Sequence, residues 1–322
     1  MLKAYSHQNG TLSSVAIGPD QALPTDAIWI DALDPTAEDE KKIEDMLGLD
    51  VPNREEMREI EISSRLYQES GALIMTATLI VGSETPNPVS DPVTFVLAGH
   101  RLVTLRYADT LPFHAYASKV EREGVACSTG EAVLTDLLDA IVDRLADILE
   151  RVQQEMDQLS REVFSAGNGV PDVNFKAVLR KIGHAQGLIS RARESLVGIG
   201  RVITFLSRPD EGTVDESSGR SLETLSRDVT SLSDHTSYLA SSISFQLDAT
   251  LGLINIQQNA IIKIVSVAAV VFLPPTLIAS IYGMNFDFMP ELHWPVGYPL
   301  AVLLMILSAI LPYWYFKRHG WL

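Results

Sequence analysis

Two stretches near the end of this chain carry no charge for the length of a membrane crossing. Ile264–Tyr282 reads IVSVAAVVFLPPTLIASIY, and no charged side chain occurs between Lys263 and Asp287. As a helix rising 1.5 Å per residue it covers about 30 Å of hydrocarbon. A second uncharged stretch runs from Leu292 to Phe316, with Pro295, Gly297 and Pro299 near its start. Spans are therefore expected over about 264–282 and 295–316. The competing reading, a buried core hairpin of a soluble protein, fits the Lys-Arg tail less well.

Upstream the pattern changes twice. Apolar or alternating segments at Ala27–Leu33, Ala72–Val81, Val93–Leu97 and Arg101–Tyr107 predict strands, the last two joined by Ala98-Gly99-His100. Asp34-Pro35 predicts a helix start, with Asp as cap and Pro at the first helical position. The charged segment Asn53–Leu66 predicts a second helix. From Glu131 onward, Val133, Leu134, Leu137, Leu138, Ile141, Leu145, Ile148, Leu149, Val152, Met156, Leu159 and Val163 recur at steps of three and four. That is the period of a long amphipathic helix. A Gly- and Pro-containing break at Ser165–Asp172 precedes a second run, Val173–Leu206, and the polar stretch Ser207–Arg220 predicts another turn. The third run starts near Ser221 and meets no proline until Pro274. A helix from Ser221 to Ile281 would be roughly 90 Å long, too long to stand without packing on other helices or on copies of itself. The expected organisation is an α/β domain over 1–125, a long-helix stalk over 126–262 and a membrane hairpin over 263–322.

Basic residues orient the hairpin. Lys263 precedes the first span and Lys317 and Arg318 follow the second, whereas the connecting loop holds only Asp287 and Glu291 as charges. The positive-inside rule puts both termini in the cytoplasm and the loop outside. Trp294, Tyr298, Tyr313, Trp314, Tyr315 and Trp321 flank the second span as an aromatic belt. The N-terminus MLKAYSHQNG has no apolar core of a secretory signal. A single cysteine, Cys127, excludes an intrachain disulfide and agrees with a reducing compartment.

The net charge is −16. Beyond Lys263 two acids and two bases cancel, so the whole excess lies before the first span. An acidic cytoplasmic body attracts cations and disfavours nucleic acid by sign alone. The chain has no G-x-x-x-x-G-K-[ST] loop, no G-x-S-x-G elbow and no C-x-x-C pair, and its seven histidines are too dispersed for a local zinc motif. Enzyme chemistry is unsupported. His293, in the loop, reads as a plain interfacial residue rather than a soft-metal ligand.

Two spans cannot enclose a hydrophilic path alone, so several copies must share an axis if the chain conducts anything. Asn259, Ile262, Val265, Ala269, Leu273, Thr276 and Ser280 fall three or four apart on one face of the first span. Their bland reading is a helix-packing stripe, with Thr276 bonded back to a carbonyl beside a Pro274-Pro275 kink. The loop that follows holds Tyr282-Gly283-Met284-Asn285-Phe286. Gly283 is read either as a functional carbonyl or as a backbone needing positive φ, and Asn285 either as an ion ligand or as a turn former.

The segment NIQQNAIIKIVSVAAVVFLPPTLIASIYGMNFDFMPEL (Asn255–Leu292) closely resembles the CorA family of divalent-cation transporters, as do the terminal YFKRHGWL, the MLKAY start and EIEISSRLYQE. The resemblance covers nearly the whole chain and is densest over 255–295. It implies a funnel-shaped homopentamer in the bacterial inner membrane, with the first span lining the pore and the second outside it. Gly283, Met284 and Asn285 would then form the external selectivity ring for hydrated Mg²⁺, with Co²⁺ and Ni²⁺ as further cargo. Asp287 and Glu291 would raise the cation concentration at the mouth over about 8 Å. Members of the zinc-transporting branch usually carry Gly-Val-Asn, so Met284 favours magnesium. Ile262 and Leu273 stand where other members often have methionine. Family members close when Mg²⁺ occupies carboxylates between cytoplasmic domains. Asp248 matches such a position, with Glu223, Asp228 and the acids of 53–61 as further candidates. The alternatives are a Zn²⁺ transporter of the same fold and a membrane-anchored metal sensor.

Overall fold

The computed structural model describes residues 1–8, 11–123, 127–165, 174–207, 216–285 and 289–319. The chain divides into an N-terminal unit, Met1–Gln246, and a C-terminal unit, Leu247–Leu322.

The N-terminal unit is built on one seven-stranded sheet. Its strands are β1 (Leu2–Gln8), β2 (Thr11–Ile17), β3 (Ala27–Leu33), β4 (Leu66–Glu69), β5 (Ala72–Val81), β6 (Val89–Ala98) and β7 (Arg101–Arg106), in the order β2-β1-β3-β7-β6-β5-β4. Every neighbouring pair is antiparallel except β3 and β7. The β6–β7 hairpin turns on Gly99 at φ +57°. One face of the sheet closes over Leu2, Ile30, Ile43, Ile74, Val96, Val103 and Leu105. The strands of Ala27–Leu33 and Ala72–Val81 match their hydrophobic runs. β1, β2 and β4 carry no apolar run that predicts them, since polar residues interrupt β1, β2 buries only Leu12 and β4 buries none of its residues, and the apolar spacing of α3 (Leu111–Glu123) is sparse.

Two local expectations are corrected. The first helix, α1 (Ala37–Leu47), is capped by Thr36, whose hydroxyl accepts from the Asp39 amide while Asp39 accepts from the Thr36 amide. This capping box places the start later than Asp34-Pro35, and Asp34 takes φ +47° instead. The segment 53–66 is not one helix. The Asn53 side chain accepts from the Glu55 and Glu56 amides, giving a 3₁₀ turn Glu56–Arg58. Glu59 is extended, and Arg65 of the four-residue α2 (Ile62–Arg65) donates to the Glu59 carbonyl. Local side-chain bonds outcompete the helix, and Met57 is the only fully buried residue from Asn53 to Leu66.

The helical runs follow their periodicity. They are α4 (Gly130–Ser165), α5 (Phe175–Leu206) and α6 (Glu216–Tyr282). The break at 166–173 lies outside the described residues. α6 begins five residues before Ser221, so the turn expected up to Arg220 is shorter. It contributes to both units and carries Pro274 and Pro275 without leaving the helix. α4 starts on the β6–β7 turn, where the Gly130 amide donates to the His100 carbonyl at 2.7 Å. A Cβ on Gly130 would lie 2.4 Å from the Leu102 nitrogen, so only glycine fits there. α5 lies on β5, with Gly198 against Ala77 and Thr78. The C-terminal unit holds the rest of α6, a 3₁₀ turn Pro290–His293 and α7 (Gly297–Arg318).

Candidate functional site

The two apolar helices leave almost everything uncovered. In each, only 6% of the most apolar window is buried. Phe272 is 70% exposed, Leu273 66% and Leu311 61%. Such surface on a folded chain is untenable in water and demands lipid or further protein.

What little is covered is ordered. On α6 the covered or half-covered residues of the span are Val267, Val271, Pro274, Pro275, Ile278 and Tyr282. On α7 they include Gly297, Ala301, Met305, Ser308, Pro312 and Phe316. Each set repeats at three or four, so each is one helix face, and among the described residues the unit has no other long element to cover it. Gly297, Ala301 and Ser308 suit close helix approach.

The stripe Asn259, Ile262, Val265, Ala269, Leu273, Thr276 and Ser280 is exposed at every position. At 100° per residue its centre lies about 180° around α6 from the covered face. The helix therefore turns one side to its own chain and presents an uncharged stripe on the other. Within that stripe the Thr276 hydroxyl donates to the Phe272 carbonyl at 2.7 Å. The donor is used up along the helix, and the outward lone pairs remain as acceptors. Pro274 and Pro275 remove the amides that would bond the Val270 and Val271 carbonyls, and Thr276 does not replace them.

Gly283 ends the helix, its amide donating to the Ala279 carbonyl at 2.9 Å. Its φ is not positive, contrary to the conformational reading of this glycine. A Cβ there would instead sit 3.1 Å from the Ala279 carbonyl oxygen. Met284 and Asn285 are exposed, the former 47%. Asp287 lies outside the described residues, and Glu291 is placed by its backbone in the 3₁₀ turn.

Three of the candidate regulatory acids, Asp248, Glu223 and Asp228, lie on α6. Asp248 is exposed, and exposed Glu223 pairs with Arg227 at 3.1 Å. Asp228 is exposed as well, and its charge reaches Asp139 on α4, one of a group the sequence did not single out. Burial and the charges of Asp143, Asp136 and Asp228 push the Asp139 carboxyl above its ordinary pKa, against the pull of Lys119. A cavity of about 350 Å³ beside it is lined by Thr135, Asp136, Asp139, Arg220, Ser221, Thr224 and Leu225. The signal was present as acids at 136, 139 and 143 on one face of α4. Among the described residues no three His, Cys, Asp or Glu side chains are placed to hold a metal ion within one chain. The acids of 53–61 are exposed, and Glu56 accepts from the Asn53 amide.

An acidic α/β unit, a long helix and two uncovered apolar helices define a membrane-inserted protein whose second helix face requires neighbours. The CorA-like Mg²⁺ transporter family model matches residues 25–318. The magnesium transport protein CorA of Escherichia coli K12 is 33% identical over 325 residues, with all of both chains covered. That of Haemophilus influenzae is 34% identical over 322 residues, again with full coverage. The complete CorA magnesium transporter of Methanocaldococcus jannaschii has the same fold, with TM-score 0.76 and 21% identity over 100% of this chain and 99% of that one. The chain belongs to the CorA-like Mg²⁺ transporter family.

Proposed function

We propose that this chain takes up Mg²⁺ passively through a channel-like pore on the axis of a homopentamer in the inner membrane, with both termini cytoplasmic and the hairpin loop periplasmic. The observation that carries this reading is the uncharged stripe of α6, exposed at every position, facing away from the chain's own covered face and leading to Gly283-Met284-Asn285. Five copies turned inward would line a pore with that stripe, leaving α7 toward lipid. The functional division is then 1–125, 126–262 and 263–322, with no catalytic role.

Mg²⁺ sheds water reluctantly and prefers six oxygens. A ring of Asn285 amide oxygens with Gly283 carbonyls accepts hydrogen bonds from the ion's hydration shell without stripping it. Carboxylates in that ring would hold the ion too firmly for release. Asp287 and Glu291 concentrate cations at the mouth. Inside, Asn259, Thr276 and Ser280 supply polar rings, while Ile262, Val265 and Leu273 supply apolar constrictions that close by dewetting. Co²⁺ and Ni²⁺ share the octahedral preference and are expected as secondary cargo. An inside-negative potential supplies about 4.6 kcal/mol per 100 mV for a divalent ion, so no ATP site is required.

Such a pore needs a brake. The acidic cytoplasmic part, stalk included, provides it when Mg²⁺, bound between copies at acids such as Asp248, Glu223 and Asp228, relieves their repulsion and holds the closed assembly. No complete site within one chain is required.

The test is Mg²⁺ entry into proteoliposomes under an inside-negative potential, comparing the unaltered protein with Asn285→Ala. Uptake lost on substitution in assembled protein supports the filter. Uptake of Zn²⁺ but not Mg²⁺ transfers the reading to a zinc transporter of this fold, and uptake of neither to an anchored sensor.

A further inference from the structure

The seam along the first half of α6 has a strict repeat. Leu222, Leu225, Val229, Leu232, Thr236, Leu239, Ile243, Gln246 and Thr250 alternate steps of three and four, and all are covered or half-covered. This is an a/d stripe, which seats a helix on its neighbours but leaves its axial position degenerate. Val229 packs near Gly200 of α5, where a Cβ would come within 3.3 Å of its methyl. Against α4, three points share nearly one offset. Thr135 and Thr224 line one cavity, Asp139 feels the charge of Asp228, and the Gln246 Nε2 donates to the Met156 carbonyl at 3.1 Å. The two helices thus run parallel in a single register from residue 135 to residue 156 of α4.

Of these three, only the Gln246 contact is a directional bond. Gln246 is 8% exposed, sits at an a/d position and is the last residue of the N-terminal unit. A buried amide at such a position is a device for fixing register, because a slide of one turn, about 5.4 Å, would strand it. We propose that Gln246 is a positioning residue. Its bond to the Met156 carbonyl pins the axial register of α6 on α4 within the N-terminal unit, from which the same helix runs on to the stripe 259–280. The claim rests on the gating reading above. In it, changes in the body reach the stripe 259–280 only as far as α4 and α6 move together.

The test uses the full-length protein with Gln246→Leu, which keeps an a/d side chain of similar size and leaves the Met156 carbonyl to its own helix. Spin labels at Glu150→Cys and Ser241→Cys, in a Cys127→Ala background diluted with unlabelled chains, report the α4–α6 distance. Uptake at graded internal Mg²⁺ reports the brake. Gln246→Leu is expected to broaden the distance distribution and raise the half-inhibiting Mg²⁺ concentration about fivefold, the worth of one neutral hydrogen bond. The thermal midpoint should change little. An unchanged distance distribution overturns the pin. A broadened distribution with an unchanged inhibition curve overturns the link to the pore. If the unaltered protein is not inhibited by internal Mg²⁺, the gating reading fails, whatever the distance measurement says of the pin.

Discussion

Arg106 on β7 grips Asp31 on β3 through two bonds, Nε to Oδ1 at 3.0 Å and Nη2 to Oδ2 at 2.8 Å. Both side chains are below a tenth exposed, and the pair staples the one parallel contact of the sheet. Thr104 donates to the same carboxylate at 2.9 Å, and the Trp29 indole donates to Thr104 at 3.0 Å. Burial alone would lower the Arg106 pKa, but Asp31 and Asp109 hold it above its ordinary value. Asp31→Ala leaves that buried cation half-unpartnered and is expected to cost about 3 kcal/mol. Denaturant unfolding of the full-length protein, read through tryptophan fluorescence, checks it. A loss below about 1 kcal/mol would show that Asp109 alone suffices.

Gly130→Ala tests the joint between sheet and stalk. The added methyl would meet the Leu102 nitrogen at 2.4 Å and the Arg101 carbonyl carbon at 2.6 Å, both backbone atoms that cannot swing aside. The expected loss is about 2 kcal/mol, of the order of core overpacking. Alanine at exposed Gly183, where nothing lies within 4 Å, should instead stabilise by about 0.5–1 kcal/mol. The contrast in thermal midpoint between the two variants is the readout.

Cys127 is buried, and burial pushes its thiol up to about 11, although the Tyr116 hydroxyl 3.6 Å away works the other way. Asp136 accepts from the thiol at 3.4 Å and favours the protonated form. A raised pKa keeps the group neutral through pH 8, with a thiolate fraction of about one in a thousand. Iodoacetamide should therefore leave the folded protein unmodified at pH 8 and alkylate it fully in denaturant. Mass spectrometry decides, and rapid alkylation of folded protein would mean that this corner opens.

Thr276→Val removes the outward acceptors of a hydroxyl whose donor is already spent on Phe272. Helix assembly should survive, because the lost bond lies within one helix turn. Mg²⁺ flux is expected to fall about fivefold, the share of one neutral hydrogen bond. A flux equal to wild type would assign Thr276 to helix packing alone.

The parts of the fold that were legible in the sequence are those whose side chains face one environment along a whole element. The runs behind α4, α5 and both apolar helices show their period directly, and Ala72–Val81 is buried at eight of its ten positions. Where local side-chain bonds decide the backbone, hydrophobic pattern is silent. Thr36 and Asp39 moved a helix start, and Asn53 broke a helix that charge spacing suggested. The stripe from Asn259 to Ser280 could be drawn from spacing, but not which way it turns. That needed the covered residues on the opposite face. Nothing in the sequence pattern marks Gln246, because its role rests on the reach of its Nε2 to the Met156 carbonyl ninety residues away in the chain.

The orientation of α6 carries the largest consequence for transport, and single cysteines across it test the assignment residue by residue. Val265, Ala269, Thr276 and Ser280 stand on the exposed stripe, whereas Val267, Val271 and Ile278 stand on the covered face. In a Cys127→Ala background, thiols on the stripe should meet water whenever the pore is open. A charged methanethiosulfonate reagent should then modify positions 269, 276 and 280 and block uptake, and, if the proposed ring at Asn285 binds the ion, Mg²⁺ outside should slow the reaction. Thiols at 267, 271 and 278 should stay unmodified, since they stand on the covered face, away from the stripe. Equal labelling of both faces would mean a helix bathed in water all round, and the reverse pattern would put α7's side toward the axis. Either result would remove the stripe from the pathway while leaving the membership of the family untouched.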